Sequence, residues 1–321
     1  MSIKNSKLAK RWIIILVILL LILLIGYLVI EYAAQHILAY SPIRPARCTK
    51  ESLLKYNNEV YTPDQLNLRY EDFNITVEDT IRLKGWFIFS NSVKSKGTIF
   101  LLHGIASCKS TMLKTALLLT ASGFNCVVYD SRANGESGGV NCTFGYYEKK
   151  DLSAYLDSLQ FRYQDSGPYG AFGNSLGAAV LIQTMAEDKR IICGIAESPF
   201  ANLREIIHDY FSRMYYLRIN WIPDKALEYS EKIANFKVDS VDPSKSAKNI
   251  TQPIMIVHGL RDEHISYKYG EEIFENIKSK VKVWYPIEDG EHNNLSQVGG
   301  VKLNEAIATF FNKHLVLSFF E

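Results

Sequence analysis

The sequence predicts an α/β protein in which a mostly parallel central sheet carries helices on both faces. Three observations predict this fold class. Short apolar runs of strand length recur between residues 72 and 287, and segments with helical periodicity separate most of them. Strands that alternate with helices form a parallel sheet, because each parallel connection needs a crossover of helical length. Polar residues also follow the strand ends directly, which is where open α/β sheets bind their ligands.

The predicted elements begin with an antiparallel pair of strands, FNITVED (73–79) and IRLKGWFIF (81–89). From there strands and helices alternate. The later strands are GTIFLLHG (97–104), FNCVVYD (124–130), YGAFGNS (169–175), IICGIAE (191–197), PIMIVHG (253–259) and VKVWYPI (281–287). The predicted helices cover residues 110–123, 146–163, 176–188, 267–279 and 301–314. Together these elements predict a core formed by residues 71–200 and 251–321.

The alternation stops between residues 201 and 250, where the chain carries amphipathic segments rich in aromatic residues. We interpret this stretch as a helical lid inserted into the core. The alternative is that its helices only pack on the core, since aromatic stripes at helical spacing are usually buried. A lid that covers the strand ends would make the pocket beneath it apolar, and we expect Trp221 to contribute to that pocket.

The N-terminus carries a candidate membrane helix. Trp12 to Ile30 is a run of 19 residues without a charge, about 28 Å long as a helix, which is close to the hydrocarbon thickness of a bilayer. A cleaved signal peptide is the competing interpretation, but its apolar core normally has only about 7 to 15 residues. We therefore expect a tail at 1–11, an uncleaved transmembrane anchor at 12–30, and a stalk and lead-in at 31–70.

The charges beside this span predict its orientation. Lys4, Lys7, Lys10 and Arg11 precede the span, whereas Glu31 follows it. Because basic flanks stay on the cytoplasmic side, we expect a single-pass protein with a cytoplasmic N-terminus. The main domain is then extracytoplasmic, and the lipid bilayer is a partner through the N-terminal helix.

Composition limits the other partners. The chain has 36 basic and 34 acidic residues, a net charge of +2, and so lacks the basic field that nucleic acid binding needs. A small-molecule partner is expected instead.

The five cysteines contain no Cys-x-x-Cys pair and show no metal-ligand spacing. Cys126 and Cys193 lie in apolar strands, where a thiol packs as a small hydrophobe. Cys48, Cys108 and Cys142 lie in predicted loops, which leaves room for one disulfide in an oxidising compartment. We predict that it joins Cys108 to Cys142, because both follow adjacent central strands.

One serine stands in a motif that is typical of nucleophiles. The pentapeptide Gly173-Asn174-Ser175-Leu176-Gly177 fits G-x-S-x-G, a sharp strand-to-helix turn that exposes the serine. The motif alone decides little, since it also occurs by chance. A serine hydroxyl is a poor nucleophile and needs a base that is itself oriented by an acid.

The base and the acid can be sought by their position along the chain. On this kind of sheet, the acid and then the histidine follow the serine, each after a strand. Of the seven histidines, only His292 lies in the loop after the last predicted strand. Among the acids between Ser175 and His292, Asp262 alone lies just past a strand end, whereas Asp289 shares the loop of the histidine. These three residues are the candidate nucleophile, base and orienting acid.

The motifs together resemble those of the α/β-hydrolase superfamily over about residues 72–315. The resemblance rests on HGIAS, YDSRANGESGG, GNSLG, HGLRDEHI and GEHNN, which occur in that order. It implies an α/β-hydrolase fold, with Ser175 as nucleophile, His292 as base and Asp262 as orienting acid. It also implies an oxyanion hole formed by the backbone N–H groups of Ile105 and Leu176. Neither a metal nor an organic cofactor is needed for this chemistry.

Within the superfamily, the chain is similar to the serine-hydrolase branch that holds esterases, monoacylglycerol lipases, acyl-thioesterases and prolyl aminopeptidases. We therefore expect a membrane-anchored serine hydrolase that cleaves acyl esters or thioesters. A serine peptidase or amidase with the same triad is one alternative, and a non-catalytic anchored binding protein on the same scaffold is another. Arg132 is expected to brace its loop, and Glu197 to line the edge of the site or to hold the start of the lid.

Overall fold

A sheet of eight strands forms the centre of the protein. The structure is a computed structural model and describes residues 2–55, 60–78 and 80–316. The strands of the described chain are β1 (Tyr70–Asp72), β2 (Ile75–Val77), β3 (Ile81–Leu83), β4 (Gly85–Ile88), β5 (Thr98–Leu102), β6 (Asn125–Tyr129), β7 (Tyr169–Asn174), β8 (Ile191–Glu197), β9 (Ile254–Gly259) and β10 (Lys282–Ile287). The main sheet has the order β1-β4-β6-β5-β7-β8-β9-β10. From β6 to β10 its strands are parallel, while β4 and β1 add antiparallel pairs at one edge. The predicted α/β class is confirmed.

Helices cover both faces of this sheet. They are α1 (Ser2–Ala33), α2 (Tyr40–Ile43), α3 (Lys50–Lys55), α4 (Leu113–Ala121), α5 (Glu148–Arg162), α6 (Leu176–Glu187), α7 (Leu203–Tyr215), α8 (Trp221–Ala234), α9 (Pro243–Ala247), α10 (Tyr267–Asn276) and α11 (Leu295–Val316). Along β5 the side chains alternate between the faces, as the strand pleat requires. Ile99 and Leu101 pack with α4 and α11, whereas Phe100 and Leu102 pack with α5, α6 and α10. Two buried layers therefore fix the sheet whose strand ends carry the site.

The lead-in strands differ from the prediction in one respect. The run 81–89 is not a single strand, because it divides at Lys84 into β3 and β4. Within the described residues, β3 pairs with β2 in a separate two-stranded sheet. The backbone N–H of Lys84 donates to Ser137 Oγ over 2.8 Å, and its carbonyl accepts from the N–H of Asp130 over 2.8 Å. The chain is thereby drawn away from β2 and enters the main sheet as β4. The end of the predicted core, residues 317–321, lies outside the described residues.

The N-terminal helix is the one helix in the described part of the chain that is long and apolar enough to cross a membrane. From Trp12 to Val29 its large apolar side chains are exposed, between 46% and 68%. Such a surface is unfavourable in water and suits a lipid environment. It coincides with the predicted anchor at 12–30.

The segment after this helix is packed against the body of the protein, which differs from the expected stalk. Its backbone continues through a π-helical turn, Ala34–Leu38, into α2. Ala34, Ala39 and Ile43 are buried. Ser230 Oγ of α8 donates a hydrogen bond of 2.7 Å to the carbonyl of Ala39. The small side chains of Ala34 and Ala39 let this segment approach α8 closely. We refer to residues 34–43 as the juxtamembrane segment.

The disulfide prediction is wrong in one partner. The disulfide joins Cys48 to Cys108, whose Cα atoms are 5.7 Å apart. Cys142 is a buried free thiol, and its backbone N–H donates to the carbonyl of Ile43 over 2.7 Å. The lead-in therefore crosses the loops that follow β5 and β6, which brings Cys48 rather than Cys142 to Cys108. Cys126 and Cys193 are buried in their strands, as expected.

The insertion between β8 and β9 contains α7, α8 and α9. The side chain of Asn202 caps α7 by accepting hydrogen bonds from the backbone N–H groups of Arg204 and Glu205. Helix α9 packs on the core, where Ser244 Oγ donates to Glu272 of α10. The part of the insertion that stands over the strand ends is therefore α7 and α8.

Candidate active site

Ser175 stands on the sharp turn between β7 and α6. Its backbone has φ 53° and ψ −114°, a conformation that costs a non-glycine residue about 1–3 kcal/mol. The turn is held by a hydrogen bond of 2.8 Å from its N–H to the carbonyl of Glu197. A Cβ on Gly173 would collide with the backbone of Gly177, and one on Gly177 would collide with the backbone of Leu102. Both flanking glycines are therefore required by close packing.

The structure brings the three predicted residues together in one chain of hydrogen bonds. His292 Nε2 lies 3.1 Å from Ser175 Oγ, and His292 Nδ1 lies 2.7 Å from Asp262 Oδ2. Ser175 and Asp262 are buried, and only 11% of the His292 side chain is exposed. Each residue follows the carboxyl end of its strand, β7, β9 and β10 respectively. The geometry fits a nucleophile, its base and an orienting acid.

Asp262 is held in its ionised form. Burial by itself raises the pKa of this carboxyl, but hydrogen bonds from His258 and His292 outweigh it and set the pKa below its ordinary value. The other carboxylate oxygen, Oδ1, accepts from the N–H groups of His264 and Ile265 over 2.9 and 2.8 Å. Ionised Asp262 accepts a hydrogen bond from the N–H at His292 Nδ1, so the histidine keeps its proton there and Nε2 is free to accept the proton of the serine.

The predicted oxyanion donors lie beside the nucleophile. The N–H of Leu176 is the first of helix α6, where backbone N–H groups have no partner within the helix. Ile105 belongs to the loop of residues 103–106, which we call the oxyanion loop. That loop lies against the turn, since a Cβ on Gly104 would be 3.4 Å from Cβ of Ser175. Both residues line the same cavity as Ser175.

Two side chains that had no assigned role hold the oxyanion loop. Buried His103 accepts a hydrogen bond at Nε2 from the N–H of Ser131 over 3.0 Å, so its proton is on Nδ1, which lies 2.6 Å from the carbonyl of Gly104. Burial lowers the pKa of His103 and keeps it neutral. Asn134 Oδ1 accepts from the N–H of Ala106 over 3.1 Å. Because the C=O and N–H of one trans peptide point in opposite directions, fixing the carbonyl of Gly104 also fixes the N–H of Ile105.

The two lesser candidates act inside the scaffold. Arg132 makes a bidentate pair with buried Asp151, at 2.6 and 2.7 Å, and so braces its loop. Glu197 accepts a hydrogen bond of 2.7 Å from the side chain of Asn174, next to the nucleophile. Burial raises the pKa of Glu197. Neither Arg132 nor Glu197 is among the residues that line the cavity beside Ser175.

An apolar cavity of about 250 Å³ lies directly beside Ser175. Its walls come from the oxyanion loop, from α7 and α8 of the insertion, and from the juxtamembrane segment. The residues that line it are Leu38, Ser41, Pro42, Ile105, Phe144, Ser175, Leu176, Phe200, Ile206, Ile207, Tyr210, Phe211, Met214, Tyr215, Pro223, Ala226, Leu227 and Ile265. No charged side chain is included among these described residues, so the cavity suits an uncharged apolar group.

The aromatic residues of the insertion divide into different environments. Tyr210, Phe211 and Tyr215 line the cavity. Trp221 does not line it, which corrects the expectation that this residue contributes to the pocket and to chain-length preference. It begins α8 and is 47% exposed. Phe236 is buried in the core. The wall contributed by Leu38, Ser41 and Pro42 was not expected, since nothing in their local sequence indicates which distant surface they contact.

Helix α7 is also bonded to the loop that carries the acid. Arg213 donates hydrogen bonds to the backbone carbonyls of Glu263 and His264, the two residues after Asp262. Tyr269 of α10 donates a hydrogen bond of 2.6 Å to Asp209 of α7. These bonds hold the insertion over the site.

Comparisons with known proteins agree with the fold. A family model described as serine aminopeptidase, S33, matches residues 93–241. Among solved structures, the chain is similar to the Pyrococcus furiosus esterase Pf2001, with a TM-score of 0.70 and 26% identity, over 86% of this chain and 99% of that one.

Two relatives that have no described activity are also similar to the chain. The uncharacterized protein YqkD of Bacillus subtilis is 28% identical over 213 residues, which are 65% of this chain and 68% of that protein. The uncharacterized membrane protein YNL320W of Saccharomyces cerevisiae is 22% identical over 239 residues, which are 74% of this chain and 78% of that protein.

Proposed function

The chain belongs to the α/β-hydrolase superfamily and has its fold, as the sequence predicts, and from this premise we propose that it is a membrane-anchored serine hydrolase that cleaves acyl esters or thioesters. The observation that carries the proposal is the hydrogen-bonded chain from Ser175 through His292 to Asp262, beside an apolar cavity. The ester-cleaving assignment is supported by the similarity to the Pyrococcus furiosus protein, which is described as an esterase.

In the acylation step, Ser175 Oγ attacks the carbonyl carbon of the substrate while His292 Nε2 accepts the hydroxyl proton. The imidazolium that forms is stabilised by ionised Asp262 at Nδ1. Negative charge develops on the carbonyl oxygen, which accepts hydrogen bonds from the N–H groups of Ile105 and Leu176. When the bond to the leaving group breaks, His292 donates its proton to the departing alcohol or thiol, and the acyl group stays on Ser175.

In the deacylation step, water takes the place of the leaving group. His292 Nε2 accepts a proton from the water as its oxygen attacks the acyl carbon, and the same two N–H groups hold the second oxyanion. The bond from Ser175 Oγ to the acyl carbon then breaks, and the serine oxygen recovers a proton from His292. The carboxylic acid leaves and the free enzyme is restored.

The cavity favours an ester over the aminopeptidase substrate that the family model's description suggests. A free peptide N-terminus carries a positive charge, and burying it without a partner is costly. None of the described residues that line the cavity supplies a carboxylate for it. An acyl chain needs no such partner and gains free energy from each methylene that it buries.

A fluorophosphonate probe tests whether the site is catalytic. The probe should label the native protein covalently and leave folded Ser175→Ala protein unlabelled, because it reacts only with an activated serine. An unreactive serine in native, folded protein would support the non-catalytic binding protein instead. A panel of p-nitrophenyl esters, acyl thioesters and aminoacyl amides then separates the reaction classes, and faster turnover of the amides would give the peptidase alternative the lead.

We propose further that α1 anchors the protein with its main domain outside the cytoplasm. The exposed apolar surface of α1 and the basic residues Lys10 and Arg11 before the span support this orientation. The disulfide between Cys48 and Cys108 supports an oxidising compartment. Protease added to intact cells or spheroplasts should digest the main domain without detergent. Protection until lysis would reverse the orientation, and a mature N-terminus near residue 34 would replace the anchor with a signal peptide.

A further inference from the structure

The anchor and the cavity are parts of one structure. The juxtamembrane segment leaves the candidate span directly and supplies Leu38, Ser41 and Pro42 to the wall of the cavity. Further walls come from α7 and α8 of the insertion. The cavity beside Ser175 is therefore enclosed partly by the stretch of chain that emerges from the apolar helix.

Contacts along α8 give the direction in which that helix points. Ala39 accepts a hydrogen bond from Ser230 of α8. Glu31, which precedes Ala39 by eight residues, accepts a hydrogen bond of 2.6 Å from Tyr229 and also contacts Lys225 at 3.7 Å, nearer to the start of α8. Moving along the anchor toward the bilayer therefore moves along α8 toward its first residue. The N-terminal end of α8 therefore lies toward the uncharged span, which Glu31 immediately follows.

The residues at this end of α8 present an exposed aromatic surface. We call residues 213–221 the lid tip, and its side chains Tyr216, Leu217 and Trp221 are 92%, 46% and 47% exposed. Trp221 lies one helical turn before Lys225, about 6 Å farther along α8 in the direction away from Ser230. Tyrosine and tryptophan are enriched at the level of lipid headgroups, where an apolar ring and a polar atom are both accommodated.

The cavity reaches the protein surface at the same place. Met214 and Tyr215 of the lid tip line the cavity, although 62% and 45% of their surface is exposed. They form one rim of the cavity, and the juxtamembrane segment, whose Ser41 lines the cavity and is exposed, forms another rim. An acyl chain that entered between the two rims would come from the side of the protein that the anchor holds against the bilayer.

We infer that the lid tip lies in the headgroup region of the bilayer that α1 spans, and that the cavity takes its substrate, an acyl lipid, directly from that leaflet. This inference rests on the proposed anchor and the proposed ester chemistry and names the source of the substrate. The surface buried is apolar and aromatic, and exposed Arg218 within it can pair with lipid phosphate.

The position of the lid tip can be tested without turnover. Full-length Ser175→Ala protein is reconstituted in phosphatidylcholine vesicles and labelled with an environment-sensitive fluorophore at Tyr216→Cys. The native thiols Cys126, Cys142 and Cys193 are buried. The matched control is Phe161→Cys, because Phe161 is 91% exposed near the end of α5, at the opposite end of the sheet from Ser175.

Nitroxide-labelled lipid should quench the fluorophore at position 216 and blue-shift its emission, and should leave the fluorophore at position 161 unquenched. Equal, water-like emission at both positions would overturn the inference. Because the labelled protein is catalytically inactive, this result stands or falls separately from the proposed hydrolysis. If position 216 is quenched but the protein with native Ser175 cleaves no ester, the lid-tip assignment is supported and the proposed function is rejected.

The route of the substrate is tested by comparing a bilayer ester with a soluble ester. The ratio of kcat/KM for a monoacylglycerol in vesicles to kcat/KM for p-nitrophenyl acetate should fall on the order of tenfold when Tyr216, Leu217 and Trp221 are all changed to serine. The variant Phe161→Ser should keep the ratio within about twofold of wild type. An unchanged ratio in the triple variant would overturn the entry route.

Discussion

Lengthening the acyl chain of an ester substrate should raise kcat/KM until the chain fills the apolar cavity. Each buried methylene contributes up to about 0.8 kcal/mol of binding. The six methylenes that separate acetate from octanoate therefore contribute at most about 5 kcal/mol, on the order of 10³-fold in kcat/KM. The walls that produce this gain consist mostly of apolar side chains.

Ala226→Phe is the sharpest perturbation of this gain. Ala226 lies on α8, is 5% exposed and lines the cavity, so a phenyl ring at that position occupies space that a long acyl chain needs. The added ring costs about 1–3 kcal/mol of stability through overpacking. We expect the advantage of octanoate over acetate to fall at least about tenfold, while acetate turnover stays within about threefold of wild type.

The assay measures kcat/KM for p-nitrophenyl acetate, butyrate, hexanoate and octanoate, normalised to the active sites titrated with a fluorophosphonate. The matched control is Lys232→Phe, which adds the same ring on the exposed face of the same helix, where the side chain is 64% exposed. A chain-length series that Ala226→Phe leaves unchanged, or that Lys232→Phe flattens equally, would refute the assignment of the cavity as the acyl site.

Other predictions concern the triad, its supporting loop and the disulfide. His292→Ala should lower kcat by on the order of 10⁴ or more, while Asp262→Asn retains a small remainder, and near-native turnover by either folded variant would contradict the mechanism. Because the pKa of Asp262 is lowered in the folded state, the ionised carboxylate stabilises the protein above about pH 4 and loses this effect as the pH falls. Thermal unfolding of Asp262→Asn should accordingly vary less with pH in the acid range than that of wild type. Asn134→Ala should lower kcat about tenfold with little change in KM, since the oxyanion loop loses an acceptor, and Asn134→Asp should recover part of the loss; a change confined to KM would argue against this role. Peptide mapping without reduction should recover Cys48 and Cys108 in one linked pair, and free thiols at both positions would contradict the structure.

The order of polar residues along the chain made the triad predictable. Ser175, Asp262 and His292 each follow a strand whose apolar run is clear in the sequence, and parallel strands place their carboxyl ends at one edge of the sheet. Their proximity therefore follows from topology, and it needs no knowledge of how the loops pack.

Features that depend on contacts between distant loops were not predictable in the same way. The pairing of Cys48 with Cys108 depends on the path of the lead-in across the strand ends, which no local pattern encodes. The role of Asn134 in holding the oxyanion loop depends on its hydrogen bond with the N–H of Ala106, which is 28 residues away along the chain. The amphipathic pattern of the insertion indicates that its helices have an apolar face, but the pattern is the same for Phe211, which lines the cavity, and for Trp221, which does not.

The packing of the juxtamembrane segment on α8 bears on what happens if the protein is shed from the membrane. With the proposed anchor, proteolysis before Glu31 releases a domain that keeps Leu38, Ser41 and Pro42 in place and therefore retains every described wall of the cavity. Proteolysis between Ile43 and Cys48 separates that wall from the released domain and leaves the cavity open along one side. The site of cleavage would then select between two released enzymes with the same catalytic residues and different substrate ranges.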